Sequence, residues 1–172
     1  MKKNSVLLAF LVMMCGQAFT QNDQQVAYHF NQWYDYENDT IAPKQYHVDS
    51  LLHFAGKYLG VPYVSPGRDP SGFDCSGFTF YCFKTYGVYL PYTAHEQAEI
   101  GHEVHLLEAR AGDLAFFQGY DKNDHKVHHV AIVTSKPGEK LQFIHAASHG
   151  VHRDNIDSPY YHPRLIEIRR IR

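Results

Sequence analysis

After residue 110 the chain changes its period. "GDLAFF", "HVAIVT", "LQFIHA" and "RLIEIRRI" are short runs rich in branched and aromatic residues, bounded by turn signals, which is the pattern of strands. In "HVAIVT", Val130 and Ile132 fall on one face and Ala131 and Val133 on the other, so both faces are apolar. Such a strand belongs in a sheet covered on both sides. Before residue 110 the period is helical. "VDSLLHFAGKYLG" puts Val48, Leu51, Leu52, Ala55 and Leu59 on one stripe with Gly60 past its end, and "CSGFTFYCFKTYG" reads as a helix closed by Gly87. Helices first and antiparallel strands afterwards predict an α+β fold, with N-terminal helices packed on an antiparallel sheet.

The first twenty residues read as a signal peptide rather than as part of that fold. Lys2 and Lys3 precede the apolar run "SVLLAFLVMMCG", and "GQAFTQ" supplies small residues at cleavage spacing, after Ala18 or Thr20. A run of about a dozen apolar residues is too short to span a bilayer, so stable membrane insertion is not expected. Lipidation at Cys15 is disfavoured by bulky Met14 directly before it. Removing the first 20 of 172 residues leaves 152, one domain by length. Removal of Lys2 and Lys3 also takes the net charge from −2 to −4. Basic residues are scattered apart from the terminal "RRIR", which excludes a nucleic-acid footprint, and the oligomeric state stays open. Residues 21–47 form an N-terminal extension in which Val26, Phe30 and Trp33 suggest a short amphipathic helix, with Trp33 as its packing anchor.

With Cys15 gone, Cys75 and Cys82 remain in an exported chain. Seven helical steps separate them by about 10 Å, beyond the roughly 7 Å limit for bridged Cα atoms, so both thiols are expected to be free. Cys82 sits among Phe78, Phe80 and Phe83 and reads as core. Cys75 lies instead in "SGFDCSGF", at the mouth of its helix, where the dipole would lower its pKa and favour a reactive thiolate. Asp74 opposes that electrostatically and reads as an N-cap or as a binder of a substrate amine.

A nucleophilic thiol needs a base, and 13 histidines offer themselves. "HVAIVT" and "LQFIHA" flank the loop "SKPGE". If Thr134 pairs with Lys140, His129 stands directly across from His145 on one face, with Cβ atoms about 5 Å apart. His128 would then point away, unless a bulge at the strand start exchanges the two. The His129–His145 pair suits a base and its orienting partner, and equally a satisfied histidine pair at a sheet edge. "HKVHH" with His145 and Cys75 could also be drawn as a zinc site, but no CxxC or HExxH spacing appears, so neither metal nor cofactor is expected.

Several motifs in order carry a resemblance: "YLGVPYVSPGRDPSGFDCSGF", "GVYLPYTAHEQ", "AGDLAFF", "HHVAIV" and "FIHAAS". From about Val48 to the C-terminus the chain resembles the NlpC family of bacterial cell-wall endopeptidases, which are papain-like cysteine peptidases. The resemblance implies a peptidase domain over 48–172, with Cys75 as nucleophile, His129 as general base and His145 as orienter of the imidazole. It implies Tyr63 near the oxyanion site, and Asp74 and Ser76 lining the cleft where a substrate amine binds. The implied partners are peptidoglycan stem peptides, cut between γ-D-glutamate and a diamino acid. Tyr92, Thr93 and Ala94 depart from the family's usual Arg, Thr or Ser, then Ser after "LP", which removes a positive charge near the cleft. That departure keeps one alternative standing, an amidase or acyltransferase using the same residues on another amide or ester; a separate alternative is a non-catalytic wall-binding module that retains the fold.

Overall fold

A computed structural model describes residues 47–121 and 124–171. The signal peptide, the extension helix and Trp33 lie outside the described residues. Helix α1, Val48–Gly56, buries Leu51 and Ala55 and ends earlier than its apolar stripe predicts. Residues 57–60 turn away, and Leu59 is left exposed. A two-stranded hairpin, β1 (Arg68–Asp69) and β2 (Gly72–Phe73), leads into α2, Cys75–Lys84. A single-turn helix α3, Ala94–Gln97, follows, closed at its start by a capping box between Thr93 and Glu96.

The strands form one antiparallel sheet of six in the order β3-β8-β4-β5-β6-β7. They are β3 (His102–Glu103), β4 (Leu114–Gln118), β5 (Val127–Val133), β6 (Gln142–Ala147), β7 (Gly150–Asn155) and β8 (Leu165–Arg170). The α+β expectation is met. Strand β7 is an addition, because "GVHRDN" has too few apolar residues to read as a strand.

Alternation splits the core across the sheet. Leu114, Phe116, Val130, Ile132, Ile144 and Ala146 face α1 and α2, where Phe73, Phe78 and Phe83 are fully buried. Ala115, Phe117, Ala131, Val133 and Phe143 face the other way. That second face is covered by loops rather than helices, with Val104, Ala109, Ile156 and Tyr161 packed on it. The aromatic rings of Phe54, Tyr58, Phe73 and Tyr81 lock α1 to α2 and the hairpin, with centroids 5.2–5.9 Å apart.

The β5–β6 register differs from expectation. Ile132 pairs with Ile144 and Val133 with Phe143, two positions away from a Thr134–Lys140 pairing. The connection between the strands is longer than a five-residue hairpin loop. Thr134 donates to the Gln142 carbonyl at 2.8 Å, and the Ser135 hydroxyl accepts from the Gln142 N–H at 3.1 Å. Because side chains alternate with period two, a slip of two leaves every side chain on its predicted face.

Candidate active site

Asp74 starts α2 and thereby places Cys75. One carboxylate oxygen accepts the Gly77 N–H at 2.7 Å and the other accepts the Gly67 N–H at 3.1 Å. The cap is therefore shared between the helix and the loop before it. Glycines make that approach possible: a Cβ on Gly77 would stand 1.9 Å from the Gly67 carbonyl oxygen.

The sulfur of Cys75 lies against β5. Its thiol is directed at the His128 carbonyl, 3.8 Å away, and the Val130 N–H favours the thiolate form. Those two backbone groups flank His129. They point to the β6 side of β5, as the Thr134 N–H does, and the β5–β6 ladder is recorded only at Ile132 and Val133. The helix mouth thus enters beside the β5 backbone on either side of His129.

Cys75 is only 7% exposed, and the expected lowering of its pKa is not seen. Burial pushes the thiol up and Asp74 adds to this, against the lowering effect of the N–H groups of Val130, Ser76 and Cys75 itself. The helix-mouth donors are present, but desolvation outweighs them in the substrate-free site. Cys82 is fully buried, its thiol is pushed up by burial alone, and both cysteines are free.

His129 and His145 meet. His129 Nε2 and His145 Nδ1 are 2.7 Å apart, with the rings edge to face. They are diagonal neighbours rather than directly opposed, which the two-residue slip requires. A bulge does occur at the start of β5, where Phe117 pairs with His129 and Gln118 with Val127. It takes up His128, which turns outward to bond Asp124 at 2.8 Å and leaves His129 in phase with Ala131 and Val133. Burial lowers His129 to about 4 and lowers His145 as well, so both rest as neutral imidazoles. One proton is shared across the 2.7 Å contact. With His129 Nε2 committed there, Nδ1 is its remaining ring nitrogen.

A cavity of about 540 Å³ opens over His129, lined also by Tyr63, His128, His149, Tyr160 and Tyr161 among others. Arg164 shapes one wall, donating to the Tyr160 carbonyl at 2.7 Å and to the Gly119 carbonyl at 3.3 Å while stacking on Tyr160.

The NlpC/P60 family profile matches residues 60–170. The chain belongs to the NlpC/P60 family. It is 36% identical over 100 residues to a γ-D-glutamyl-L-lysine dipeptidyl-peptidase of Bacillus cereus, a match covering 58% of this chain and 29% of the relative. It is 32% identical over 125 residues to the bifunctional muramidase/DL-endopeptidase CwlT of Bacillus subtilis, covering 72% of this chain and 36% of the relative. The chain therefore spans about a third of the length of these two relatives. A crystal structure of an NlpC/P60 family protein from Bacillus cereus superposes with a TM-score of 0.66 at 31% identity, over 73% of this chain and 40% of that one.

In this NlpC/P60 domain Tyr63 is bridged to Phe73, two residues before Cys75, and is exposed towards the cavity. Burial raises its phenol, and the neighbouring Cys75 and Asp74 charges raise it further. Ser76 is placed differently from the expectation of a cleft-lining hydroxyl. It is 7% exposed and donates to the Tyr92 carbonyl at 2.9 Å. Buried Gln97 continues that support, donating to the carbonyls of Pro91 and Ser76. At the position where the sequence loses a positive charge, one arrives through space: the Arg68 guanidinium stacks on the Tyr92 ring at 4.0 Å. Sequence reasoning missed His152 and Asp154, which flank His145 from β7. The "SHG" turn after "FIHAA" was the signal that a further strand returns beside His145.

Proposed function

We propose that this chain is an exported cysteine peptidase that hydrolyses peptidoglycan stem peptides at the bond between γ-D-glutamate and a diamino acid. The carrying observation is the continuous contact from the Cys75 sulfur, through the β5 backbone on either side of His129, to the 2.7 Å His129–His145 pair. The activities for which the Bacillus relatives are named, on γ-D-glutamyl-L-lysine and as a DL-endopeptidase, support the substrate class. Export rests on the signal-like residues 1–20, and the catalytic domain on residues 48–172.

In this reading His145 Nδ1 accepts the His129 Nε2 proton, which holds His129 Nδ1 as a lone pair for the thiol. Cys75 gives its proton to His129 as the sulfur attacks the scissile carbonyl. The Cys75 N–H, which has no partner within the helix, faces the developing oxyanion, with the Tyr63 hydroxyl beside it. His129 then protonates the leaving amine, and water releases the acyl group from sulfur. Buried Cys75 and half-buried His129, both neutral, become an ion pair only as they react, so bound substrate is what makes the charge separation favourable. Asp74, half-buried, receives the substrate amine. Ser76 acts from beneath by fixing the Tyr92 segment, which Arg68 covers.

Digestion of purified sacculi, followed by mass spectrometry of the released fragments, tests the reading. The wild-type chain should release peptides that begin at the diamino acid, leaving γ-D-glutamate as the new end of the glycan-linked stem, and Cys75→Ala should release none. Undiminished release by Cys75→Ala would overturn it.

A further inference from the structure

Behind the catalytic pair, three side chains converge without satisfying one another. The β6–β7 ladder sets His145 directly across from His152, and Asp154 follows two residues later on the same face. The two rings are 4.4 Å apart. Asp154 Oδ2 lies 3.8 Å from His145 Nε2 and 3.5 Å from His152 Nε2, and one donor atom from each residue falls within 4.8 Å of the others. His145 is fully buried, and its Nε2 has no hydrogen-bond partner among the described residues.

Tautomers make the cluster more telling. His152 Nδ1 is 2.9 Å from the Gly150 carbonyl, which can only accept, so Nδ1 carries the proton and a neutral His152 presents a lone pair at Nε2. That lone pair faces a carboxylate oxygen across 3.5 Å, an arrangement that repels unless a proton or a metal cation stands between them. A carbonyl fixing the far nitrogen of a histidine is also the usual outer support of a metal ligand. Two imidazoles and one carboxylate are a donor set of the zinc class, with three protein ligands and one open position. Tetrahedral ligands held at 2.0–2.2 Å stand roughly 3.4 Å apart, so the observed separations close on an ion with shifts of a few tenths of an ångström for Asp154 and more for the His pair. His152 and Asp154 both reach the cavity, which provides an entry path.

We propose that His145, His152 and Asp154 form a divalent-metal site of the zinc class whose occupation silences Cys75. The silencing rests on the reading of His129 as base; the site itself does not. In the active state His129 carries its proton on Nε2, and His145 carries its own on Nε2, aimed at Asp154. A metal bound at His145 Nε2 moves that proton to His145 Nδ1. His145 then donates across the 2.7 Å contact instead of accepting. The His129 proton shifts correspondingly to Nδ1, the nitrogen that must be free to receive the thiol proton. No proton is gained or lost; the base is turned the wrong way round. The same Nδ1–H also opposes a protonated His129, so the thiolate–imidazolium pair is disfavoured as well.

The test uses the full chain stripped with a chelator and titrated with zinc against a chromophoric competitor, with cobalt absorption as a second reading. One zinc per chain should bind to wild type and equally to Cys75→Ser. Affinity should fall at least about tenfold in His152→Ala and in Asp154→Asn, the latter being isosteric and spared any loss of packing. On stem peptides, saturating zinc should lower the wild-type rate by about tenfold or more, and the chelator should restore it. His152→Ala, normalised to its own metal-free rate, should resist. Failure of wild type to bind zinc overturns the site, as does binding that disappears in Cys75→Ser while surviving in His152→Ala. Zinc bound at His152 and Asp154 without inhibition overturns the switch. If the chain cleaves no stem peptide under any condition, the catalytic reading fails while the binding measurements still decide the site.

Discussion

His129 and His145 give up hydration to sit at the inner edge of the sheet, and that has a consequence for stability. An ordinary histidine takes up a proton near pH 6.5. Burial lowers His129 to about 4, and His145 is lowered by burial together with the neighbouring histidines. Between pH 6.5 and 4 the unfolded chain therefore binds more protons than the folded one. Stability from these two groups is complete above pH 6.5 and is lost as the pH falls towards 4, by up to about 1.4 kcal/mol per pH unit for each histidine. Urea unfolding at pH 7, 6 and 5, with a chelator present, should show that decline. His145→Gln should lower the slope by about one proton. An unchanged slope in that variant would mean that His145 is charged in the folded chain. The pairing of these two residues was legible because face parity needs only alternation. The raised pKa of Cys75 was not, because the helix-mouth effect can be read from local residues whereas burial depends on everything packed above the thiol.

At the scale of elements, the start of α2 is a joint between helix and loop, and its residue types follow from that. Gly77 admits the Gly67 carbonyl, and Asp74 caps both segments through separate oxygens. Asp74→Ala should lose about 1–2 kcal/mol, since it removes the N-cap and leaves the Gly67 N–H without its acceptor. Asp74→Asn keeps the Gly77 cap through its single oxygen but turns an NH2 towards the Gly67 N–H, so it should lose about 1 kcal/mol, less than Asp74→Ala. If Asp74 also receives the substrate amine, Asp74→Asn should raise KM on stem peptides as much as Asp74→Ala does, despite its smaller loss of stability, since both remove the charge while Asn keeps the helix cap. Thermal melts and kinetics on the two variants separate the roles. The cap was readable from "DCSG" alone. The β5–β6 register was not, because Ser135 and Thr134 extend the connection through hydrogen bonds to Gln142 that no turn rule specifies. Strand β7 escaped for a different reason: it is an edge strand whose polar residues face the site, so function had replaced the apolar alternation by which strands are recognised.

Across the whole molecule, the last strand is tied to the middle of the chain by one ion pair. Asp113, in the "AGDLAFF" segment, is 2% exposed and accepts the Arg110 N–H at 2.9 Å. Arg170, on β8, grips it with two bonds, Nε to Oδ1 at 2.8 Å and Nη2 to Oδ2 at 2.9 Å, and also reaches the Glu108 carbonyl at 3.0 Å. Read linearly, Arg170 belongs to the basic "RRIR" end, and nothing there names a partner 57 residues away. The pair closes the β3–β8–β4 side of the sheet, while the His129–His145 pair occupies β5 and β6. Removing the guanidinium alone strands a carboxylate that cannot regain water without opening the strand. Arg170→Met should therefore destabilise the fold by about 3–5 kcal/mol, whereas Asp113→Asn with Arg170→Met should recover part of that loss because no charge is left buried. Chemical denaturation of the two single variants and the double should give a coupling energy well above the few tenths expected of independent sites. Simple additivity would show that Arg170 contributes through its stem against β4 rather than through its charge.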